Sequence, residues 1–347
     1  MKMSLADFLN FVKEKNFSET SDLKGVLKIY QNKSFSLPSE TETHSNLWSI
    51  FEKIDPEAYQ SYKDQESALW VPGEIPFNGD YVQFTKLDEN QKTPLVKCLV
   101  IFQTLDGAVI DKFVLKQILN AQTLTEKMPY IRQLVAEATH AESYKFQLEA
   151  IVPNSVEREK LIRSVDSEAW IQMYSNFVEK YMDDETVGDL IQLLVQAFLE
   201  GVGFSAFFAV IFWYKCCPHA HDVPGITSSN DLIAREEGLH RDWAITRVKR
   251  LIGEDRENFL KLVKTISDEI IEIISESLPT ILPVDLPGLT KKSLLDYAKY
   301  TADGIFLDLD LDEYYGLDNP LAYMDTIGGV KKTNFFERAT TEYSRGK

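Results

Sequence analysis

Much of what announces a function is scarce in this sequence. It carries three cysteines in 347 residues, Cys98, Cys216 and Cys217, too few for a disulfide framework and suited to a reducing compartment. A cytoplasmic location is expected. Positive charge is also short: 37 Lys and Arg stand against 54 Asp and Glu, a formal net charge of -17. A surface of that sign repels a phosphate backbone, which excludes nucleic acid as a principal partner. The longest strongly apolar run, FSAFFAVIFWY at 204–214, has 11 residues, against the roughly 20 needed to cross a bilayer. The opening MKMSLADFLNFVKEKNF mixes acids into its apolar positions, unlike a secretory signal, so no membrane role is expected. Neither G-x-x-x-x-G-K-[ST] nor G-x-G-x-x-G occurs, which leaves no familiar phosphate cradle.

What is present is helical periodicity. Apolar residues recur at three and four over 92–119, 128–151, 155–181, 185–214, 229–252 and 256–278, predicting six long helices. Breakers are expected at EKMPY (126–130), VPNS (152–155), HDVPG (221–225) and LPTILPVDLPG (278–288). No stretch alternates like a strand, and no repeat of 20 to 50 residues is visible. The predicted class is all-α, a helical bundle whose interior suits a metal site built from facing helices. Residues 1–45, with the polar segment SFSLPSETETHSN, read as an extension or linker. The main domain is expected over 46–330, and 331–347 form a C-terminal segment.

Histidine is rare too, with five in the chain. Two of them close an E-x-x-H: Glu137-Ala-Thr-His140 and Glu237-Gly-Leu-His240. Leu134, Val135, Ala136, Ile233 and Ala234 make their surroundings apolar, and a buried acid needs a partner or a metal. Asp106 lies in LVIFQTLDGAVI, and Glu200 is the only charge in LLVQAFLEGVGFSAFFAVIFWY. Two helices giving one carboxylate each, with two giving Glu-x-x-His, form the six-ligand set by which bundles hold two iron or manganese ions. Four carboxylates and two imidazoles suit those metals, and no thiolate joins them as in structural zinc sites.

These residues, in this order, resemble the small, radical-generating subunit of class I ribonucleotide reductase. The resemblance runs from Trp48 to Tyr343 through LWVPGEI (69–75), FQTLDGAVIDKF (102–113), EATHAESY (137–144), FLEGVGFSAFF (198–208), PGITSSNDLIAREEGLH (224–240) and KTNFFERATTEYS (332–344). It implies a ferritin-like bundle in which Asp106, Glu137, His140, Glu200, Glu237 and His240 bind a dinuclear centre, Fe/Fe in the first instance, with Mn/Fe or Mn/Mn as alternatives. It further implies a stable radical on Tyr144, an apolar wall of Phe204, Phe208 and Ile233, and a transfer route through Trp70, Glu236 and Tyr343. The working form would be a homodimer that passes the radical to a large catalytic subunit for reduction of ribonucleotides to deoxyribonucleotides. Rival readings are a di-metal oxidase or oxygenase on the same fold, and a non-catalytic partner subunit.

Two departures stand out. Glu236 occupies a position where the family normally has Asp, and the chain stops at Lys347, four residues past Tyr343, where the family continues into a docking tail. Two other clusters read as bland. KCCPHAHD (215–222) fits no zinc spacing, and DLDLDEYYGLD (308–318) lacks the Gly and Glu of an EF-hand loop, so a solvated turn is expected.

Overall fold

The computed structural model describes residues 55–109, 113–182, 187–218 and 220–327; of 106–109, 166 and 326 only the backbone is described. The segments 1–45 and 331–347, including Tyr343, therefore lie outside the described residues. Nine of the helices matter for the site: α1 Pro56–Glu66, α2 Glu89–Val109, α3 Leu124–Ile151, α4 Ala169–Met182, α5 Asp189–Phe198, α6 Ser205–Cys216, α7 Pro224–Leu251, α8 Arg256–Ile281 and α9 Lys291–Asp308. Among the described residues there is no strand, only a bridge between Leu286 and Leu289.

The bundle is built around α3 and α7. Helix α3 packs on α1, α2 and α7, while α7 also packs on α5 and α6, and α9 lies against α6 and α8. The stretch 189–216, α5 and α6 joined by one wide turn, is long and apolar enough to cross a membrane by composition, yet 83% of its most apolar window is buried inside the protein. It is a buried helix pair of the core.

Local chemistry explains where the helices start. Thr123 accepts from the Glu126 N–H while Glu126 accepts from the Thr123 N–H, a capping box that opens α3. The break expected over 126–130 is therefore absent. Pro129 lies inside the helix and gives up its own backbone bond toward Thr125 without ending it. Pro279 is likewise inside the last turn of α8, so that helix runs past the expected stop. The other breaks hold: Asn154 caps the next helix with two N–H contacts, and Pro224 is the first residue of α7. The block expected over 155–181 is two helices, Ser155–Asp166 and α4. Helix α9, opened by Thr290 and Ser293, was not among the six expected.

Candidate metal centre

On α3, spacings of four and three bring Gln133, Glu137, His140, Tyr144 and Gln147 onto one face, and all five are fully buried. Helix α7 faces this column with Asn230, Ile233, Glu236, Glu237 and His240, also buried. The third contributor is the wide turn Leu199–Gly203 between α5 and α6, where Phe204 N–H reaches back five residues to the Leu199 carbonyl at 3.1 Å. Glu200 sits in that turn, 3% exposed.

These elements converge. Ligand-type atoms of Glu137, Glu200, Glu237 and His240 all lie within 4.8 Å of one another. His140 Nδ1 lies 3.0 Å from Glu237 Oε1 and 3.5 Å from Glu137 Oε2. His240 Nδ1 lies 3.3 Å from Glu137 Oε1 and 3.5 Å from Glu237 Oε2. Five of the six expected ligands thus meet in one buried place. Asp106 is on α2, but its side chain lies outside the described residues. Both Glu237 oxygens, Glu137 Oε2, His140 Nδ1 and both His240 nitrogens are buried without an aligned hydrogen bond. Burying that many polar atoms costs several kcal/mol unless something satisfies them, and a cation fits donors aimed inward from three sides.

The electrostatics show the same strain. Burial drives Glu200 well above the usual carboxylate range, and the neighbouring Glu237 and Glu137 add to the rise against the pull of His240. Burial opposes charge on His240, yet contact with Glu137 and Glu237 raises its pKa to about 10. His140 is raised likewise, burial being outweighed by Glu137, Glu236 and Glu237. Glu137 is held low despite burial because both imidazoles face it. Protons on the imidazoles here do the charge balancing that a bound cation does in a carboxylate–imidazole site.

Around this cluster, Glu236 Oε2 takes two hydrogen bonds: from Trp70 Nε1 at 2.8 Å and with His140 Nε2 at 2.9 Å. The longer glutamate therefore reaches both Trp70 and His140. Tyr144 is fully buried one turn beyond His140. Phe204, Phe208 and Ile233 are all buried, and the two phenylalanines pack on Phe102 with centroids 5.4 and 4.7 Å away. Phe102 itself stacks on Tyr144, centroids 5.1 Å apart and planes 4° from parallel.

Sequence reasoning missed Phe102, although it lies one helical turn before Asp106 in a motif already singled out. It also missed two amides. Gln133 Nε2 donates to Glu200 Oε1 at 2.7 Å and Gln196 Nε2 at 3.3 Å. Each amide stands four residues before a buried acid, Glu137 or Glu200, and that spacing was the available signal. Among the described residues the metal-type grouping includes no member of KCCPHAHD; His219 of that run lies outside them. In the acidic turn, Asp303 accepts the N–H groups of Tyr314, Tyr315 and Gly316, a structural role.

Comparison with known proteins agrees with this geometry. The profile of the ribonucleotide reductase small chain matches residues 47–320. Ribonucleoside-diphosphate reductase subunit M2 of Danio rerio is 31% identical over 287 residues, 83% of this chain and 73% of the relative. The small chain from Yaba-like disease virus is 29% identical over 86% of this chain and 90% of its own. In fold, the chain is similar to the ribonucleotide reductase Rnr4 homodimer of Saccharomyces cerevisiae, with a TM-score of 0.71, 22% identity, and coverage of 92% of this chain and 99% of that one. The dimanganese(II)-NrdF of Streptococcus sanguinis gives 0.67 at 16% identity, covering 78% and 96%. A buried carboxylate–imidazole cluster inside an all-α, ferritin-like bundle, with that profile over most of its length, places this chain in the ribonucleotide reductase small-chain family.

Proposed function

We propose that Asp106, Glu137, His140, Glu200, Glu237 and His240 hold a dinuclear centre and that Tyr144 carries the radical that this subunit lends to its partner. The observation that carries the reading is one α3 face on which Glu137 and His140 join the buried cluster and Tyr144 follows one turn later. The donor set is carboxylate and imidazole only, which fits iron or manganese; we assign Fe/Fe, and Mn/Fe or Mn/Mn would use the same ligands. When bound, the metal pair supplies the one-electron oxidant for the phenol.

The remaining work falls to side chains of this chain. His140 donates Nε2–H to Glu236 and so keeps Nδ1 turned to Glu137 and Glu237 as a ligand nitrogen. Gln133 and Gln196 donate to Glu200 and fix its carboxylate. Phe102, with Phe204 and Phe208 behind it, covers Tyr144 with apolar rings that exclude water and small reductants; Ile233, buried on α7, adds to that wall. Trp70 shares the Glu236 oxygen with His140, which gives a hydrogen-bonded route from the centre to a half-buried indole. Tyr343 continues that route by resemblance.

In this reading the domain spans 46–330, with 1–45 an extension and 331–347 the segment that brings Tyr343 to the partner. The working form is a cytoplasmic homodimer docked on the large catalytic subunit. Three free cysteines and the homodimeric assembly of the yeast relative support this. The test is to load apoprotein with Fe(II), admit oxygen and record the electron paramagnetic resonance spectrum of wild type and Tyr144→Phe. A tyrosyl signal present in the first and lost in the second supports the assignment; the same signal in both sinks it.

A further inference from the structure

Helix α7 carries Glu236, Glu237 and His240, yet its own N-terminus lacks a cap: Val223 offers no side-chain acceptor to the first N–H groups. Such groups need partners when buried. The partner comes from 145 residues away. Asp80 is fully buried and accepts the Gly225 N–H on Oδ1 at 3.0 Å. Its second oxygen is buried without a hydrogen bond. A Cβ at Gly225 would collide with that oxygen and come within 2.8 Å of Phe77; glycine is what lets the carboxylate reach the helix end.

The same segment is tied to α7 at a second point. Trp70, ten residues before Asp80, donates to Glu236, eleven residues after Gly225. Eleven residues of helix span about 16 Å, and the chain between the two ties has only the short turns Pro72–Glu74 and Phe77–Gly79. Around Trp70 it is open, with Leu69 and Val71 exposed. Its two turns lie against α3, the second also against α7, and Trp70 and Asp80 tie it to α7 by hydrogen bonds. Burial pushes the Asp80 pKa up to about 6 against the pull of the Gly225 and Ile226 N–H groups. A carboxylate kept there at that cost marks a place where position matters.

We infer that Asp80 is the positioning residue of the radical route: by capping α7 from outside, it sets where the Trp70 indole meets Glu236. The inference rests on Trp70 being a relay residue. The experiment uses full-length, iron-loaded protein as wild type, Asp80→Ala, Asp80→Asn and Gly225→Ala, the last approaching the contact from the other side. Three quantities are read: hydrogen exchange of residues 69–84, tyrosyl radical per iron, and turnover with the large subunit.

In Asp80→Ala and Gly225→Ala, exchange over 69–84 is expected to quicken about tenfold, in line with a lost cap, with the interior of α7 unchanged. Radical yield stays level while turnover falls about tenfold, the scale of a small misplacement of a reacting group. Asp80→Asn, which keeps an oxygen toward Gly225, recovers most of both. Unchanged exchange over 69–84 overturns the inference, as does loosening without loss of turnover, or loss of protection across α3 and α7 alike. A wild type without a tyrosyl signal would instead count against the radical reading, and the exchange result would still judge the clamp.

Discussion

Replacing Glu200 with Gln is expected to make the metal-free protein more stable and the metal-loaded one worse. Glu200 is 3% exposed, and burial together with Glu137 and Glu237 lifts its pKa well above the ordinary glutamate value of 4.5. At pH 7 the unfolded chain ionises this group, whereas the apo fold favours its protonated form. Keeping a buried acid without a counter-charge costs the apo fold on the order of a few kcal/mol. Glutamine has no proton to hold, and its amide oxygen still accepts from Gln133. The sign comes from the raised folded pKa. Wild type has its full stability below the ordinary pKa of 4.5 and loses it as pH rises, so the gain from Glu200→Gln is larger at pH 7 than at pH 4, where it fades. Urea unfolding with chelator present, at both pH values, measures it. Iron stoichiometry measures the cost, since the variant offers one carboxylate fewer. A variant that is less stable than wild type as apoprotein at pH 7, or that still binds two ions per chain as tightly, would refute the view that this acid is kept for a metal at the expense of the fold.

Phe102→Leu keeps an apolar side chain but removes the ring stacked on Tyr144; about 1 kcal/mol of stability should go, and the radical should decay faster, read by the lifetime of its resonance signal. Trp70→Phe deletes the N–H donated to Glu236; the tyrosyl signal should form as in wild type while turnover with the large subunit is lost. Gly201→Ala places a Cβ 2.6 Å from Arg241 Cδ and 3.2 Å from Ile305 Cδ1; a loss of about 1–3 kcal/mol is expected, seen as a lower urea midpoint. A gain of about 1 kcal/mol, the usual result of Gly→Ala in an open helix, would show that the turn is not crowded.

Most of the bundle and the candidate ligands were legible because their signals are local. Glu137, His140 and Tyr144 announce a helix face by spacing alone, and an acid alone in a long apolar run announces that it needs a counter-charge. Other features were hidden for a physical reason. Pro129 sits inside a helix that the capping box of Thr123 and Glu126 opens, and the four-residue offset of Gln133 and Gln196 gains meaning only once Glu200 is seen between them.

The wide turn at Leu199–Gly203 was the least legible and governs the most. In an uninterrupted helix Glu200, Phe204 and Phe208 would form a single column at four-residue spacing. The extra residue in the turn rotates the start of α6 by about 100° relative to α5. Glu200 then faces Gln133 and the acid cluster, while Phe204 and Phe208 face Phe102 and, through it, Tyr144. One inserted residue thus separates a charged wall from an apolar one along a single apolar stretch. Gly201 lies against Arg241 and Ile305, so a side chain there would press on the turn that carries Glu200.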